Sequence, residues 1–450
     1  GSKEGWDKGK GCTVRGLKFQ EMLACVRKSL EGVPEHRKGS NTRYEIADAG
    51  LGAFGVFYLQ SPSFLAYQRD MQRKRGKNNA QGLFGVEEIP CDGQIRNLLD
   101  PVAPEQLREP FWEIYRQLDA SGHLDQYTGV AGTRLISLDG SQYFGSQVLH
   151  CPHCRVTVRD ETTYYSHSVM MAVVGAPEQE RVICLDPEFI RPQDGHEKQD
   201  CEQQAIKRWV QRNAGRFEPW SVTILTDDLH CHQPLCELLQ EQQLHFVLTC
   251  KPGSHQALYE ELRLLEQVEG AISTRVVRKW NGRYHEHWVY RWAEQLPLRG
   301  DAKTLMVSWC EVTISNESTG KQVYHSAWAT DHALDAQRVV EVVAAGRSRW
   351  KIENEGFNVL KNQGYNFEHN FGHGQQYLST VLLTLLMLAF LFHTALDFDC
   401  WLYQAVRREL AVRRTFFNDL RALTRYLYFA NWQQLLTFMH KQLDLPPQSS

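Results

Sequence analysis

Hydrophobic spacing changes character along the chain. From residue 17 to about 130 the apolar positions recur at helical intervals, and Leu17, Met22, Leu23, Val26 and Leu30 predict a helix over 17–30. Residues 47–58 and 64–68 predict a second helical stretch interrupted at Ser61-Pro62. Ile95, Leu98 and Leu99 mark another helix after Asp92, and 107–118 a further one. Near residue 132 strand-like runs begin. Residues 134–140 (RLISLDG) read as a buried strand ending in a carboxylate and a turn, and 164–174 and 180–185 as the next two strands of a meander. Helical spacing returns over 197–212, and the strand 221–226 then delivers Asp227-Asp228. A helix over 234–243 and a strand over 245–249 follow. This order predicts a mixed sheet covered by helices, whose strand ends bring remote residues together.

Residues 271–280 and 283–292 flank Asn281-Gly282, a strong hairpin-turn signal, and 303–314 with 321–329 add a second strand pair. Helical spacing resumes over 336–345 and 348–361. The apolar run 378–392 (LSTVLLTLLMLAFLF) is short for a membrane crossing, although 377–396 is long enough to be stretched into one. It reads as a buried helix, because it continues directly into amphipathic sequence, and no membrane partner is expected.

With 450 residues, 42% hydrophobic and 23% charged, the chain can bury a core too large for one simple domain. A net charge of −3 means that nucleic-acid binding would rest on local basic patches. One is Arg69, Arg73, Lys74, Arg75 and Lys77; the other is Arg407, Arg408, Arg413, Arg414, Arg421 and Arg425. Ordinary solvated helix faces explain either patch alone equally well. The crowded Trp280, Tyr284, His285, His287, Trp288, Tyr290, Arg291 and Trp292 suit base stacking or cross-strand packing. The N-terminus lacks the basic and apolar regions of a secretory signal, which predicts an intracellular protein. Twelve scattered cysteines fit reduced thiols or metal ligation. Cys151 and Cys154, in His150-Cys151-Pro152-His153-Cys154, either anchor a structural zinc or form a thiol turn; His167, Cys184, His196 and Cys201 are available to complete a site.

Three carboxylates suggest catalytic chemistry: Asp139, one of Asp227 and Asp228, and Glu353 on the helix after the second strand pair. If they converge, they can hold two divalent cations. One cation would activate water or a terminal hydroxyl, and the other would steady the leaving oxygen. Oxygen ligands suit Mg2+ or Mn2+. Arg349 lies one helical turn before Glu353, where the two can pair or share a phosphate site; an exposed, charge-laced helix is the plainer explanation.

These residues also carry a family resemblance. Leu138-Asp139-Gly140, the run 197–202 (EKQDCE), Thr226-Asp227-Asp228-Leu229 and the stretch 349–374 (RWKIENEGFNVLKNQGYNFEHNFGHG) resemble cut-and-paste DDE transposases of the insertion-sequence type. The resemblance covers roughly residues 44–400. It implies an α/β, ribonuclease-H-like mixed-sheet core with a β-rich insertion and helical N- and C-terminal regions. The implied divisions are 1–131 (helical, DNA-positioning), 132–255 (first part of the core), 256–331 (insertion), 332–400 (glutamate-helix part of the core) and 401–450 (C-terminal helices). It assigns Asp139, Asp228 and Glu353 as the catalytic, metal-holding acids, with Asp227 as the alternative middle acid. Arg349 and Lys361 are assigned to phosphate contacts. Gly346 stands where the family has a tyrosine, and Lys361 is one position later than the usual lysine. The implied activity is DNA transposition, by metal-dependent cleavage of element ends and strand transfer into target DNA. A metal-dependent nuclease and a noncatalytic domesticated DNA-binding protein are the alternatives. The implied partners are double-stranded DNA with terminal inverted repeats, target DNA and a second copy of the chain, in a cytoplasm where the protein meets bacterial chromosomal or plasmid DNA.

Overall fold

A computed structural model describes residues 18–39, 42–73, 77–195, 198–368 and 371–448. The helical spacing at the start folds as α1 (Phe19–Glu31), α2 (Ile46–Tyr58), α3 (Phe64–Met71), α4 (Asn79–Phe84), α5 (Asp92–Leu99) and α6 (Glu109–Ala120). Eleven strands follow in one sheet: β1 (Arg134–Ser146), β2 (Arg155–Arg159), β3 (Thr162–Gly175), the short β4 (Ile183–Cys184) and β5 (Glu188–Phe189), β6 (Val222–Thr226), β7 (His245–Thr249), β8 (Ser273–Trp280), β9 (His285–Pro297), β10 (Met306–Asn316) and β11 (Gln322–Thr330). Between and after them lie α7 (Lys198–Asn213), α8 (Gln233–Glu241), α9 (Gln256–Leu265), α10 (Arg338–Ser348), α11 (Asn358–Asn362), α12 (Leu378–Asp399), α13 (Trp401–Glu409), α14 (Arg413–Tyr426) and α15 (Trp432–Gln442). Lys74, Arg75, His196, Glu197, His369 and Asn370 lie outside the described residues.

The sheet is open and mixed, in the order β8-β9-β10-β11-β7-β6-β1-β3-β2, with β4 and β5 paired to β3. Only the β1–β6 and β6–β7 pairings in it are parallel. The hairpin strands β8–β11 extend the same sheet through an antiparallel pairing of Trp328 with Thr249. At the hairpin tip the Asn281 side chain accepts the N–H groups of Arg283 and Tyr284, both at 3.0 Å, and Gly282 takes the positive φ of 93° that the turn requires.

Both faces of the parallel strands are covered, so their side chains alternate between two apolar clusters. Ile136, Leu138, Ile224 and Phe246 pack with Ala205, Ile206 and Trp209 of α7. Leu135, Leu225 and Val247 pack with Val339, Val342 and Val343 of α10 on the other face. A slip of one residue would exchange the two sets, which fixes the register.

Two expected elements differ, and the apolar run is the buried helix that its pattern predicts. Strand β1 runs beyond Asp139 to Ser146, because its partner β3 is itself long and pairs as far as Ser146 with Tyr165, past a register shift between Gln142 and Phe144. The expected strand over 180–185 contracts to Ile183–Cys184, and β2 is an additional strand. The apolar run becomes α12, long and apolar enough by composition to cross a membrane, yet residues 378–396 are buried in the protein. Phe392 packs on Phe54 of α2 at 4.7 Å between ring centroids. The Asp100 carboxylate caps the start of α12, accepting N–H groups from Gln376 and Leu378 at 3.0 and 3.1 Å.

Candidate active site and metal centre

The parallel register ends at Ser137 opposite Leu225, and two residues further on it sets Asp139 level with Asp227. The Asp227 side chain caps its own turn by accepting Leu229 N–H at 3.1 Å, and His230 Nε2 lies 3.6 Å from its Oδ1. Glu202, buried on α7, reaches the same place, with Oε2 3.5 Å from His230 Nε2. Gly140 makes room for it, since a Cβ there would stand 2.5 Å from Glu202 Oε1.

Across from these acids, α10 continues through Arg349 into a π-helical turn, Ile352–Phe357, that carries Glu353. Such turns re-aim side chains and recur at functional sites. Gly356 lets the turn approach the strand paired with β1, because a Cβ would meet Met171 Cε at 2.6 Å and Met171 is the cross-strand partner of Asp139. Arg349 joins the two sides, its guanidinium 2.7 Å from Glu353 and 3.9 Å from Asp139. Burial pushes the Asp139 carboxyl up to about 6; Arg349 opposes this, while the charges of Asp227, Glu353 and Glu202 add to it. Gly346 has no space for a side chain, since a Cβ would stand 2.3 Å from the buried Trp328 indole nitrogen.

The structure thus brings Asp139, Asp227, Glu353 and Arg349 together, with Glu202 and His230 behind them. It does not bring Asp228 or Lys361 there. The Asp228 carboxylate turns away, accepting Lys251 N–H at 2.7 Å and the Ser254 hydroxyl at 2.6 Å. Lys361 pairs with Glu368 at 3.0 Å. Glu202 lies within the 197–202 motif, but no spacing rule points from it to Asp139, and His230 carries no sequence signal of its own.

A second cluster has ligand geometry. Cys151, Cys154, His167 and His373 are all buried, and their donor atoms lie within 4.8 Å of one another. The Cys151–Cys154 sulfur distance is 3.8 Å, sulfur to imidazole nitrogen is 3.3–3.5 Å, and the two Nε2 atoms are 3.1 Å apart. A tetrahedral zinc with Zn–S of about 2.3 Å and Zn–N of about 2.0–2.1 Å sets these edges at about 3.8, 3.6 and 3.3 Å. The cluster therefore fits a structural metal site of the zinc type. His373 Nδ1 lies 2.9 Å from Gly374 O, a bond that leaves Nε2 free to ligate. The other candidates are engaged elsewhere: Cys184 donates to Leu185 O and Cys201 to Gly195 O, while His150 and His153 stack on Tyr165 and Tyr377. Among the described residues, Asp139, Asp227 and Glu353 form no comparably tight group.

Part of the two basic patches meets in one cleft of about 700 Å³, where Arg69, Lys361, Arg413, Arg414, Arg421 and Arg425 contribute to the lining. Arg425 pairs with Asp70, and Arg421 donates to the Leu59 and Gln60 carbonyls. On the hairpin, Tyr290 and Trp292 are buried, and Lys279 and Arg347 lie over Trp288. Trp280 stays exposed. Comparison of the chain with protein-family models and with curated proteins finds no match.

Proposed function

We propose that the chain is a DDE-type DNA transposase with a ribonuclease-H-like core, acting through Asp139, Asp227 and Glu353. The observation that carries this reading is the meeting of Asp139 and Asp227, from two adjacent parallel strands, with the Arg349–Glu353 pair of a helix more than a hundred residues later. The strand order β3-β1-β6-β7, with β1–β6 and β6–β7 parallel, agrees with the core that the family resemblance implies. Asp227 replaces Asp228 as the middle acid, because the Asp228 carboxylate is committed to Lys251 and Ser254.

Mg2+ or Mn2+, when bound, would supply Lewis acidity and an activated oxygen nucleophile. Asp139, Asp227 and Glu353 would hold the ions, and Arg349 keeps the metal-free acids together by giving Glu353 a partner and offsetting part of the Asp139 charge. Once the ions take over that role, the guanidinium is available to a phosphate oxygen. Glu202 and His230 lie behind Asp227, with His230 Nε2 3.5 Å from Glu202 and 3.6 Å from Asp227. The basic cleft lined by Arg413, Arg414 and Lys361 suits the DNA backbone. A reaction on two element ends calls for a second copy of the chain in the DNA complex.

The test first asks whether matching inverted repeats flank the coding region and then uses DNA carrying them, with Mg2+ or Mn2+. The protein should cleave paired ends and join a precut end bearing a 3′ hydroxyl to target DNA. Asp139→Asn, Asp227→Asn and Glu353→Gln should each lower cleavage at least about 100-fold while remaining folded, whereas Asp228→Asn should retain more activity than Asp227→Asn. Cleavage without joining would establish a nuclease instead. End-specific binding without cleavage would establish a noncatalytic DNA-binding protein.

A further inference from the structure

We propose a second zinc site, built by Cys231, Cys250 and His255. The three ligands come from three separate segments: Cys231 closes the turn after Asp227-Asp228, Cys250 follows β7, and His255 precedes α9. All three are buried, and their donor atoms lie within 4.8 Å of one another.

His255 is only 6% exposed, and its Nε2 makes no hydrogen bond of good geometry, its carboxylate neighbour Asp228 Oδ1 standing 3.4 Å away. A cation held by the imidazole and the two sulfurs would satisfy this buried group more fully. The bonds that Asp228 accepts from Lys251 N–H and Ser254 fix its carboxylate beside the imidazole, where it supports the ligand from outside the group. Two sulfurs favour zinc over the hard cations suited to the carboxylates of the catalytic acids. Binding would release the two thiol protons to solvent.

The site gives the neighbouring aspartates different work. Asp227 faces Asp139, while Asp228 ties the same turn to the ends of β7 and α9. The ion would fix the turn that presents Asp227, making Cys231, Cys250 and His255 positioning residues for any chemistry at Asp139. Metal content is measured without DNA, so the site stands or falls independently of the transposase reading.

The experiment is zinc analysis of the full chain, purified from medium without added zinc. Wild type should hold two zinc ions per chain. Cys231→Ser and Cys250→Ser should each lower this to one, as should Cys154→Ser through the other site, and Asp228→Asn should lose one ion to a chelator faster than wild type. Because a cysteine variant can fail to fold, wild type exchanged with cadmium-113 supplies a second readout. Two NMR resonances are expected, from a two-sulfur, two-nitrogen site and a site with two sulfurs and one nitrogen from the protein. One ion per chain in folded wild type, lost entirely in Cys154→Ser, would overturn the proposal. So would a single cadmium resonance, or two ions retained in folded Cys231→Ser.

Discussion

Asp139→Asn should make the metal-free protein more stable at neutral pH while abolishing its proposed activity. The Asp139 side chain is only 19% exposed, and burial with three neighbouring acids raises its carboxyl from an ordinary 3.8 to about 6, even with Arg349 nearby. The folded chain therefore binds this proton more tightly than the unfolded chain does. Its stabilising contribution is complete below about pH 3.8 and is lost as the pH rises through about 6. The difference between 3.8 and about 6 corresponds to about 3 kcal/mol, at about 1.4 kcal/mol per pKa unit. Asparagine keeps the shape and never ionises. At pH 7.5 its unfolding midpoint should lie several degrees above that of wild type, and at pH 4 the two should nearly coincide. Thermal melts in buffer free of Mg2+ and Mn2+ provide the assay. Adding Mg2+ at pH 7.5 should raise the wild-type midpoint and leave Asp139→Asn unmoved, because the ions offset a charge that the variant lacks. A variant less stable than wild type at pH 7.5, or a difference independent of pH, would refute the reasoning.

Arg349→Ala should shift the acid limb of the cleavage profile to higher pH, because the guanidinium that holds the Asp139 carboxyl down is gone; it should also slow joining more than Lys361→Ala does, and a pH–rate series on paired-end DNA reads both effects. Cys154→Ser and His373→Ala should each cost one zinc per chain and lower the melting midpoint by several degrees, checked by elemental analysis and calorimetry. Gly346→Ala should destabilise by about 1–3 kcal/mol, since crowding the Trp328 indole outweighs the roughly 1 kcal/mol that alanine gains in a helix; denaturant unfolding measures it.

Asp139, the β6 strand and Glu353 are legible in the sequence because buried parallel strands and amphipathic helices leave strong periodic patterns. The choice between Asp227 and Asp228 is not. Both follow the same strand, and what separates them is a hydrogen bond from Lys251, a residue placed by the next strand. The cysteine pair can be read from its spacing, but the second half of its site cannot. His167 sits in β3 among other plausible ligands, and His373 lies in a segment whose aromatics dominate its pattern. Strand β1 reads as ending at Asp139-Gly140, since a carboxylate and a glycine are ordinary strand terminators. It continues because β3 pairs with it as far as Ser146, and Gly140 is there to make room for Glu202, both tertiary requirements invisible to local rules.

The Cys154–His373 contact spans 219 positions of chain, and this separation bears on how the protein is made. At about 5–20 residues per second, roughly 10–40 s pass between synthesis of the cysteine pair and of the histidine that closes the cluster. During that interval the nascent chain exposes two thiols and one imidazole, enough to capture an ion without completing its coordination. The segment bearing Glu353 is synthesised before His373 and is anchored to the sheet through this cluster only afterwards. A product truncated before residue 373 would carry all three proposed catalytic acids yet lack one corner of this cluster.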